Sequence, residues 1–235
     1  MLKTIGIIGG MGPAATVDLM SKIIRMTDAQ DDQHHIPVLT DCNTRIPDRT
    51  EAILSGGRSP APEMLKSARR LEQAGADFII VACHTAHYFI PEIESQIAVP
   101  VISMPEETAV LLQRDGVKRA GVLATDGVVA SGLYEKALAA YGIGAVYPGA
   151  EDQQTIMHLI YDCIKSGIRD RGKLPVQEIR SMMTDMKERG AEVFLLACTE
   201  LPIAFELMDI SDNCIDPTTV LARAAILKAG GSILP

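Results

Sequence analysis

Two cysteines in the sequence follow apolar runs of strand length. Cys83 comes directly after residues 78–82 and Cys198 directly after residues 193–197, and each is followed within two residues by a threonine. In a parallel α/β sheet, side chains at the carboxyl ends of strands meet where sites assemble. A helix that begins there lowers the pKa of a thiol from about 8.5 toward neutrality. We therefore predict two reactive thiols, one in each half of the chain.

The elements that position these thiols alternate between strands and helices, which is typical of an α/β fold. Strands are predicted over 4–8, 37–42, 78–82, 99–103, 120–124, 145–147 and 193–197. Helices are predicted over 14–26, with Pro13 at the first position, and over 63–73, 106–113, 134–140, 153–165, 175–189 and 216–227, with a helix or turn up to Glu94. The second half repeats the pattern of the first without obvious sequence identity. We expect two pseudo-symmetric, doubly wound (Rossmann-like) parallel-sheet domains with the active site in the cleft between them.

The predicted domain boundaries follow the point at which the pattern restarts, near Met104. Residues 1–104 and 214–235 form the domain that carries Cys83, because the last helix is expected to pack on the first half. Residues 105–213 form the domain that carries Cys198.

Composition narrows the possible partners. The chain has 235 residues, 47% of them hydrophobic and 22% charged, which describes a folded globular protein. A net charge of −8 disfavours nucleic acid and anionic membranes as partners. No apolar stretch is long enough to span a bilayer, and five cysteines without a disulfide pattern fit a reducing compartment. We expect a cytoplasmic protein.

A glycine-rich turn follows the first predicted strand. Residues 10–15 match the G-x-G-x-x-A dinucleotide fingerprint, but no acidic residue ends the second strand at the usual spacing of about 20 residues. The favoured interpretation is a tight turn before a helix whose amide groups can hold a small anion.

Four motifs, taken together and in this order, resemble the aspartate/glutamate racemase family, and most closely its aspartate racemase branch. The motifs are Gly6-Ile7-Ile8-Gly9-Gly10-Met11-Gly12-Pro13, Ile46-Pro47-Asp48-Arg49, Cys83-x-Thr85-Ala86-His87 and Cys198-Thr199-Glu200-Leu201-Pro202. Glu200 stands where glutamate racemases have histidine, and His84 stands where the family usually has asparagine beside the substrate. The resemblance implies a cofactor-independent racemase of acidic amino acids, aspartate first, that acts as a homodimer.

The two cysteines and the hydrogen-bond donors near them could also carry out inversion of an α-carbon. A base on one face and an acid on the other are needed, and two opposed cysteines supply both if one is thiolate and the other thiol. Backbone amides of the turns at residues 9–12 (which include Met11 and Gly12), 83–85 and 198–199, with the hydroxyls of Thr85 and Thr199, can hold the α-carboxylate and its developing charge. No pyridoxal lysine motif is present, so we expect no cofactor.

The resemblance implies that Arg49 and Lys165 recognise the side-chain carboxylate of the substrate. Without it, Arg49 could be a solvated loop residue and Lys165 an ordinary cation at a helix C-terminus. His87, four residues after Cys83, either favours the thiolate or is only a helix-terminus residue. Glu200 either bonds an amide at its helix start or tunes Cys198.

Three further expectations concern residues and functions outside the proposed thiol pair. Cys163 lies on an apolar helix face and is expected in the core. The histidine pairs lack the cysteine pairing of a structural zinc site, so no metal is expected. Alternative functions are a two-cysteine cis-trans isomerase of maleate type and a non-catalytic ligand-binding protein on the same scaffold.

Overall fold

The structure is a computed structural model that describes residues 2–167, 170–211 and 213–234. It divides into two compact units, described separately below. The first unit comprises Met1–Glu107 and Thr218–Pro235, and the second comprises Thr108–Pro217. Each contains a parallel β-sheet, so the α/β fold class with two parallel-sheet units is confirmed.

The first unit has a three-stranded parallel sheet with the order β2-β1-β3. Its strands are β1 (Ile5–Gly9), β2 (Val38–Cys42) and β3 (Phe78–Val81). The register pairs Gly9 with Cys42 and Ile8 with Val81, so all three strands end at one edge. The residues that follow them are therefore neighbours.

The second unit has a four-stranded parallel sheet with the order β5-β4-β6-β7. Its strands are β4 (Arg119–Ala124), β5 (Gly144–Val146), β6 (Val193–Ala197) and β7 (Cys214–Ile215). Ala124 pairs with Ala197, so Thr125 and Cys198 follow adjacent strands at the same edge.

The helices follow the predicted alternation. In chain order they are α1 (Pro13–Met26), α2 (Arg49–Leu54), α3 (Ala61–Gln73), α4 (Ile90–Glu94), α5 (Met104–Arg114), α6 (Asp126–Ser131), α7 (Leu133–Ala139), α8 (Ala150–His158), α9 (Val176–Glu188), α10 (Leu201–Met208) and α11 (Pro217–Ala229). Two further segments matter for the site: a 3₁₀ helix over Thr85–Phe89, and a π-helical continuation of α8 over Leu159–Lys165. A π-helix is rare, and such segments are frequent at functional sites.

Strand alternation determines which face each cysteine joins. In the first unit Ile80 packs with side chains of α1 and α11, whereas Ile79 and Val81 pack with α3, and Cys83 belongs to this second group. In the second unit Cys198 extends the face of Phe194 and Leu196, which packs against α8, the π segment, α9 and α10. Both sheets are covered by apolar groups on two faces, which explains their continuous apolar strands.

Two sequence predictions differ from the structure. Residues 99–103 were expected to form a strand, but only Val101 pairs, in an isolated parallel bridge with Ile79. Pro100 has no N–H to donate to a ladder, and its carbonyl accepts the Ile79 N–H at 2.9 Å. The elements α2, α6, α10 and β7 were also not predicted from the sequence.

None of the helices in the described part of the chain has the length and apolar character of a membrane-spanning segment.

Candidate active site

Cys83 lies at the carboxyl edge of the first sheet, two residues beyond β3, and its residue is 5% exposed. The preceding residue is fixed to the sheet, because the Ala82 N–H donates to the Ile8 carbonyl at 3.0 Å. The 3₁₀ helix that follows begins at Thr85, and both His84 and Thr85 are buried. The predicted residues Cys83, His84 and Thr85 are therefore brought together in one turn.

The expectation that His87 favours a Cys83 thiolate is wrong. The His87 ring is held by backbone groups: Nδ1 lies 2.9 Å from the Cys83 carbonyl oxygen, and Nε2 accepts the Met104 N–H at 3.2 Å. Because Nε2 accepts, Nδ1 carries the proton and the ring is neutral. Burial lowers the pKa of His87 to about 4. The ring therefore supplies no positive charge near neutral pH and instead connects the Cys83 turn to the start of α5.

The glycine-rich turn after β1 is tightly packed. A side chain at Gly9 would lie 2.3 Å from Thr16, and Gly10 has a φ of +90° with the Asn43 backbone 2.4 Å from where a Cβ would stand. The Gly10 N–H donates to Thr16 Oγ1 at 2.9 Å. The amide of Gly10 is therefore used within the turn and is not among the amides of residues 9–12 that could hold a ligand.

Arg49 is buried, so the interpretation of a solvated loop residue is wrong. It is 8% exposed and is the first residue of α2. Its guanidinium donates to the Met11 carbonyl and to the Pro47 carbonyl, each at 3.0 Å. Gly12 immediately precedes α1. Arg49 thus connects the Met11–Gly12 turn to the loop before α2.

In the second unit, Cys198 immediately follows β6 and forms a hydrogen-bonded group with the next two residues. The Cys198 thiol donates to Glu200 Oε2 at 3.1 Å, and the Thr199 hydroxyl donates to the same oxygen at 3.0 Å. All three residues are less than 10% exposed. Glu200 precedes α10 but its side chain makes no capping hydrogen bond to that helix, all of which the structure describes. Of the two roles considered for Glu200, the structure therefore shows the contact with Cys198 and not the helix cap.

The pKa of Cys198 is shifted upward, in the direction opposite to the sequence expectation. Burial raises the pKa of this thiol well above its ordinary value, and the adjacent Glu200 carboxylate raises it further. The expected lowering by a helix N-terminus is therefore overcome by desolvation and a like charge. Cys198 is a thiol at neutral pH.

Lys165 is the last residue of the π segment. Its Nζ lies 4.1 Å from the centre of the Tyr161 ring, a cation–π contact. The positive charge of Lys165 partly opposes the rise in the pKa of Cys198. Lys165 is therefore close enough to the Cys198 group to interact with it, although its side chain is exposed.

Sequence reasoning missed two buried polar residues at the same sheet edges. Asn43, directly after β2, is 8% exposed and donates from Nδ2 to Ser67 Oγ at 3.1 Å. Thr125, directly after β4, is 3% exposed and accepts the Val128 N–H at 3.4 Å as the cap of α6. Each follows a strand directly, and that position was the available signal.

Predictions from the sequence also concerned the remaining cysteines and the possible metal ligands. Cys163 is buried in the core, as predicted, and all five cysteines are free. Within residues 2–167, 170–211 and 213–234, no group of three or more His, Cys, Asp or Glu side chains is arranged to hold a metal ion.

In each unit a thiol lies at the carboxyl edge of a parallel sheet beside buried hydroxyl and amide groups. Such groups can hold an anionic ligand, and thiols can exchange protons with carbon. The structure thus defines a class of α/β protein with two parallel-sheet units, each with a buried thiol at the carboxyl edge of its sheet.

Comparison with known proteins agrees with this class. Residues 8–225 match the family described as Asp/Glu/Hydantoin racemase, and the chain belongs to that family. The aspartate racemase of Picrophilus torridus is 34% identical with a TM-score of 0.84, and the match covers 99% of this chain and 96% of that one. The expectation that the protein is a racemase, and thus an isomerase, is confirmed.

Two curated relatives are also similar. The broad-specificity amino-acid racemase RacX of Bacillus subtilis is 25% identical, over 94% of this chain and 96% of its own length. A glutamate racemase of Desulforudis audaxviator is 29% identical over 72% of this chain, which matches 61% of that protein's length. A structure of a Yersinia pestis protein described as an Asp/Glu racemase shares the fold, with a TM-score of 0.83 and 24% identity.

Proposed function

We propose that this protein inverts the α-carbon of acidic amino acids, aspartate first, without a cofactor, by proton transfers to and from Cys83 and Cys198. The observation that carries the proposal is the matched position of the two thiols, each buried at the carboxyl edge of its own parallel sheet. Aspartate is favoured because the Picrophilus torridus relative is an aspartate racemase. The broad specificity of RacX makes other amino acids the first alternatives to assay.

In this mechanism one thiolate removes the α-proton and the other thiol delivers a proton to the opposite face. A single base tends to return the proton to the side from which it came. The Thr85 and Thr199 hydroxyls, with backbone amides of the Met11–Gly12 turn and the two cysteine turns, would stabilise the α-carboxylate and the charge that builds on it. These donors lie in or beside the buried turns described above.

We assign Arg49 and Lys165 to recognition of the distal carboxylate. Arg49 is buried beside Met11 and presents a planar set of donors, which suits bidentate pairing with a carboxylate. Lys165 contributes a point charge near Cys198. His84 replaces the asparagine usual in the family and is 2% exposed at the start of the Cys83 turn. We therefore expect it to affect which side chain is accepted.

The test is a racemisation assay over all amino acids after exhaustive dialysis against a chelator, with no pyridoxal phosphate added. We expect turnover of aspartate at the undialysed rate. A dialysed enzyme that is inactive until metal or pyridoxal phosphate is restored would refute the mechanism. Absence of racemisation, with cis-trans isomerisation of a double bond instead, would favour the maleate-type alternative.

We also infer a homodimer, supported by an exposed apolar stripe on α1. Val17, Met20 and Ile24 are 68%, 36% and 47% exposed and share one helix face by their spacing. Met20→Lys should shift the sedimentation coefficient toward the monomer, whereas Leu227→Lys, at an exposed site on α11, should not. A monomeric wild-type protein at micromolar concentration would contradict this inference.

A further inference from the structure

Glu200 contacts the reacting atom of Cys198 directly. Its Oε2 receives two hydrogen bonds, from the thiol at 3.1 Å and from the Thr199 hydroxyl at 3.0 Å. The carboxylate is 8% exposed and makes no cap to α10. A buried carboxylate that accepts from a thiol is placed to take the proton of that thiol.

We propose that Glu200 is a catalytic proton carrier: it takes the proton of Cys198 when that thiol must act as a base and returns it when Cys198 has acted as an acid. This inference depends on the two-thiol function proposed above. It assigns a third proton-transfer group and makes Cys198 a thiol in both resting forms of the enzyme.

Charge in the buried group explains why a carrier is needed. If the Cys198 thiol lost its proton to water, a thiolate would stand about 3 Å from a second negative charge on Glu200. Transfer from Sγ to Oε2 leaves the pair with one negative charge throughout. The other titratable groups that act on this thiol are Lys165, whose charge favours the thiolate, and Tyr134, whose own pKa burial raises well above its ordinary value. Tyr134 is therefore neutral.

The proton transfers balance in both directions. Starting with both cysteines protonated and Glu200 ionised, Sγ of Cys198 passes its proton to Oε2, and the thiolate removes the α-proton of the substrate. Cys83 then protonates the opposite face. The enzyme is left with Cys83 as thiolate, Cys198 as thiol and Glu200 protonated, so the net charge of these groups is unchanged. The opposite direction is the reverse of these steps, and a proton shuttled through solvent from Glu200 to Cys83 resets the enzyme.

The turn at Cys83 has a different arrangement. Two histidines follow Cys83: His84 is buried directly after it, and His87 bonds the Cys83 carbonyl and is neutral. Loss of the Glu200 carboxylate should therefore affect proton transfer by Cys198 and leave transfer by Cys83 nearly unchanged.

The test uses α-proton exchange in deuterated water, followed by NMR. Cys83→Ser keeps only Cys198, and Cys198→Ser keeps only Cys83, so each variant should exchange one enantiomer without inverting it. Adding Glu200→Gln, which preserves the shape and the acceptor oxygen, should slow exchange about 100-fold in the Cys83→Ser background. It should change exchange less than about 3-fold in the Cys198→Ser background, the matched control for folding and substrate binding.

Racemisation by Glu200→Gln alone provides the second measurement. The equilibrium constant between enantiomers is one, so kcat/KM should fall by the same factor in both directions. Thiolate absorbance should show a lower pKa for Cys198 in this variant, because a neighbouring negative charge is gone. Wild-type racemisation rates in Glu200→Gln, or equal slowing of exchange in both backgrounds, would overturn the carrier role. Near-normal racemisation by either single-cysteine variant would instead overturn the two-thiol function itself.

Discussion

The two cysteine turns occupy corresponding places in their sheets but differ in how their protons are controlled. Near Cys83 the neighbouring titratable side chains are two buried histidines, His84 and His87, and the neutral His87 ring is bound to the backbone carbonyl of the cysteine. At Cys198 the neighbour is a carboxylate bound to the thiol itself. A repeated scaffold therefore positions two thiols symmetrically while their local charges differ. From this difference we expect the residues two to four positions after each cysteine to influence the proton transfers proposed for the two thiols.

Replacing either thiol tests whether both turns are needed, and it has the largest expected effect. Cys83→Ser and Cys198→Ser should each reduce racemisation by about 10³-fold or more in both directions, because every turnover needs one abstraction and one delivery. The measurement is kcat/KM for L- and D-aspartate. Cys42→Ser, at an exposed free cysteine, is the control and should retain full activity.

Arg49→Ala tests whether the buried guanidinium of the first unit recognises the distal carboxylate of the substrate. We expect a loss of about 2–4 kcal/mol in transition-state stabilisation for aspartate, measured from kcat/KM. The free energy of unfolding should also fall, by about 1–3 kcal/mol, because the carbonyls of Met11 and Pro47 lose their donor. Arg45→Ala, at an exposed arginine in the same loop, should change neither quantity appreciably. Unchanged kinetics in Arg49→Ala would make Arg49 a purely structural residue.

The burial of the neutral His87 ring can be tested by the pH dependence of the free energy of unfolding rather than by a reaction rate. The pKa of His87 is about 4 in the folded protein against about 6.5 for an exposed histidine, so the unfolded chain binds more protons between these values. Its contribution to the free energy of unfolding is therefore fully present above pH 6.5 and falls by roughly 3 kcal/mol as the pH drops to 4. The difference in unfolding free energy between wild type and His87→Asn should follow this profile. A pH-independent difference would show that the ring is not buried in its neutral form.

Lys165→Met should have the smallest effect of the four. The side chain is exposed, so screening by solvent limits the attraction of its charge for the distal carboxylate and its influence on Cys198, and we expect a loss of about 3–10-fold in kcat/KM. The loss should shrink as salt concentration rises. Lys173→Met, at another exposed lysine of the second unit, is the matched control. A salt-independent loss of 100-fold or more would contradict this expectation, because it would require a desolvated ion pair between Lys165 and the substrate carboxylate.

The strand and helix pattern was readable from the sequence because buried parallel strands are continuous apolar runs between helical segments. The helix α10 was missed because Leu201–Met208 is apolar on nearly all sides and shows no clear helical period. The predicted strand at 99–103 is not formed because Pro100, its second residue, has no N–H to donate to a ladder. For α10, burial on nearly all sides hides the helical period, and for residues 99–103 the proline backbone prevents the strand that the apolar pattern predicts.

The site was only partly predictable. Motif spacing correctly put His87 on the same turn as Cys83 and Glu200 next to Cys198. It did not reveal side-chain direction, so it could not show that the imidazole bonds a carbonyl while the carboxylate bonds a thiol. The raised pKa of Cys198 depends on burial of both partners, which spacing alone does not report.

The most direct test of the account follows solvent deuterium at early times in wild type and in the two single-cysteine variants. Wild type should place deuterium mainly in the inverted product, because abstraction and delivery use different thiols. Cys83→Ser and Cys198→Ser should label opposite enantiomers of aspartate without inverting them. Early deuterium in recovered substrate at the same rate as in product, together with racemisation by one variant near the wild-type rate, would show that a single thiol suffices and would contradict the two-thiol mechanism.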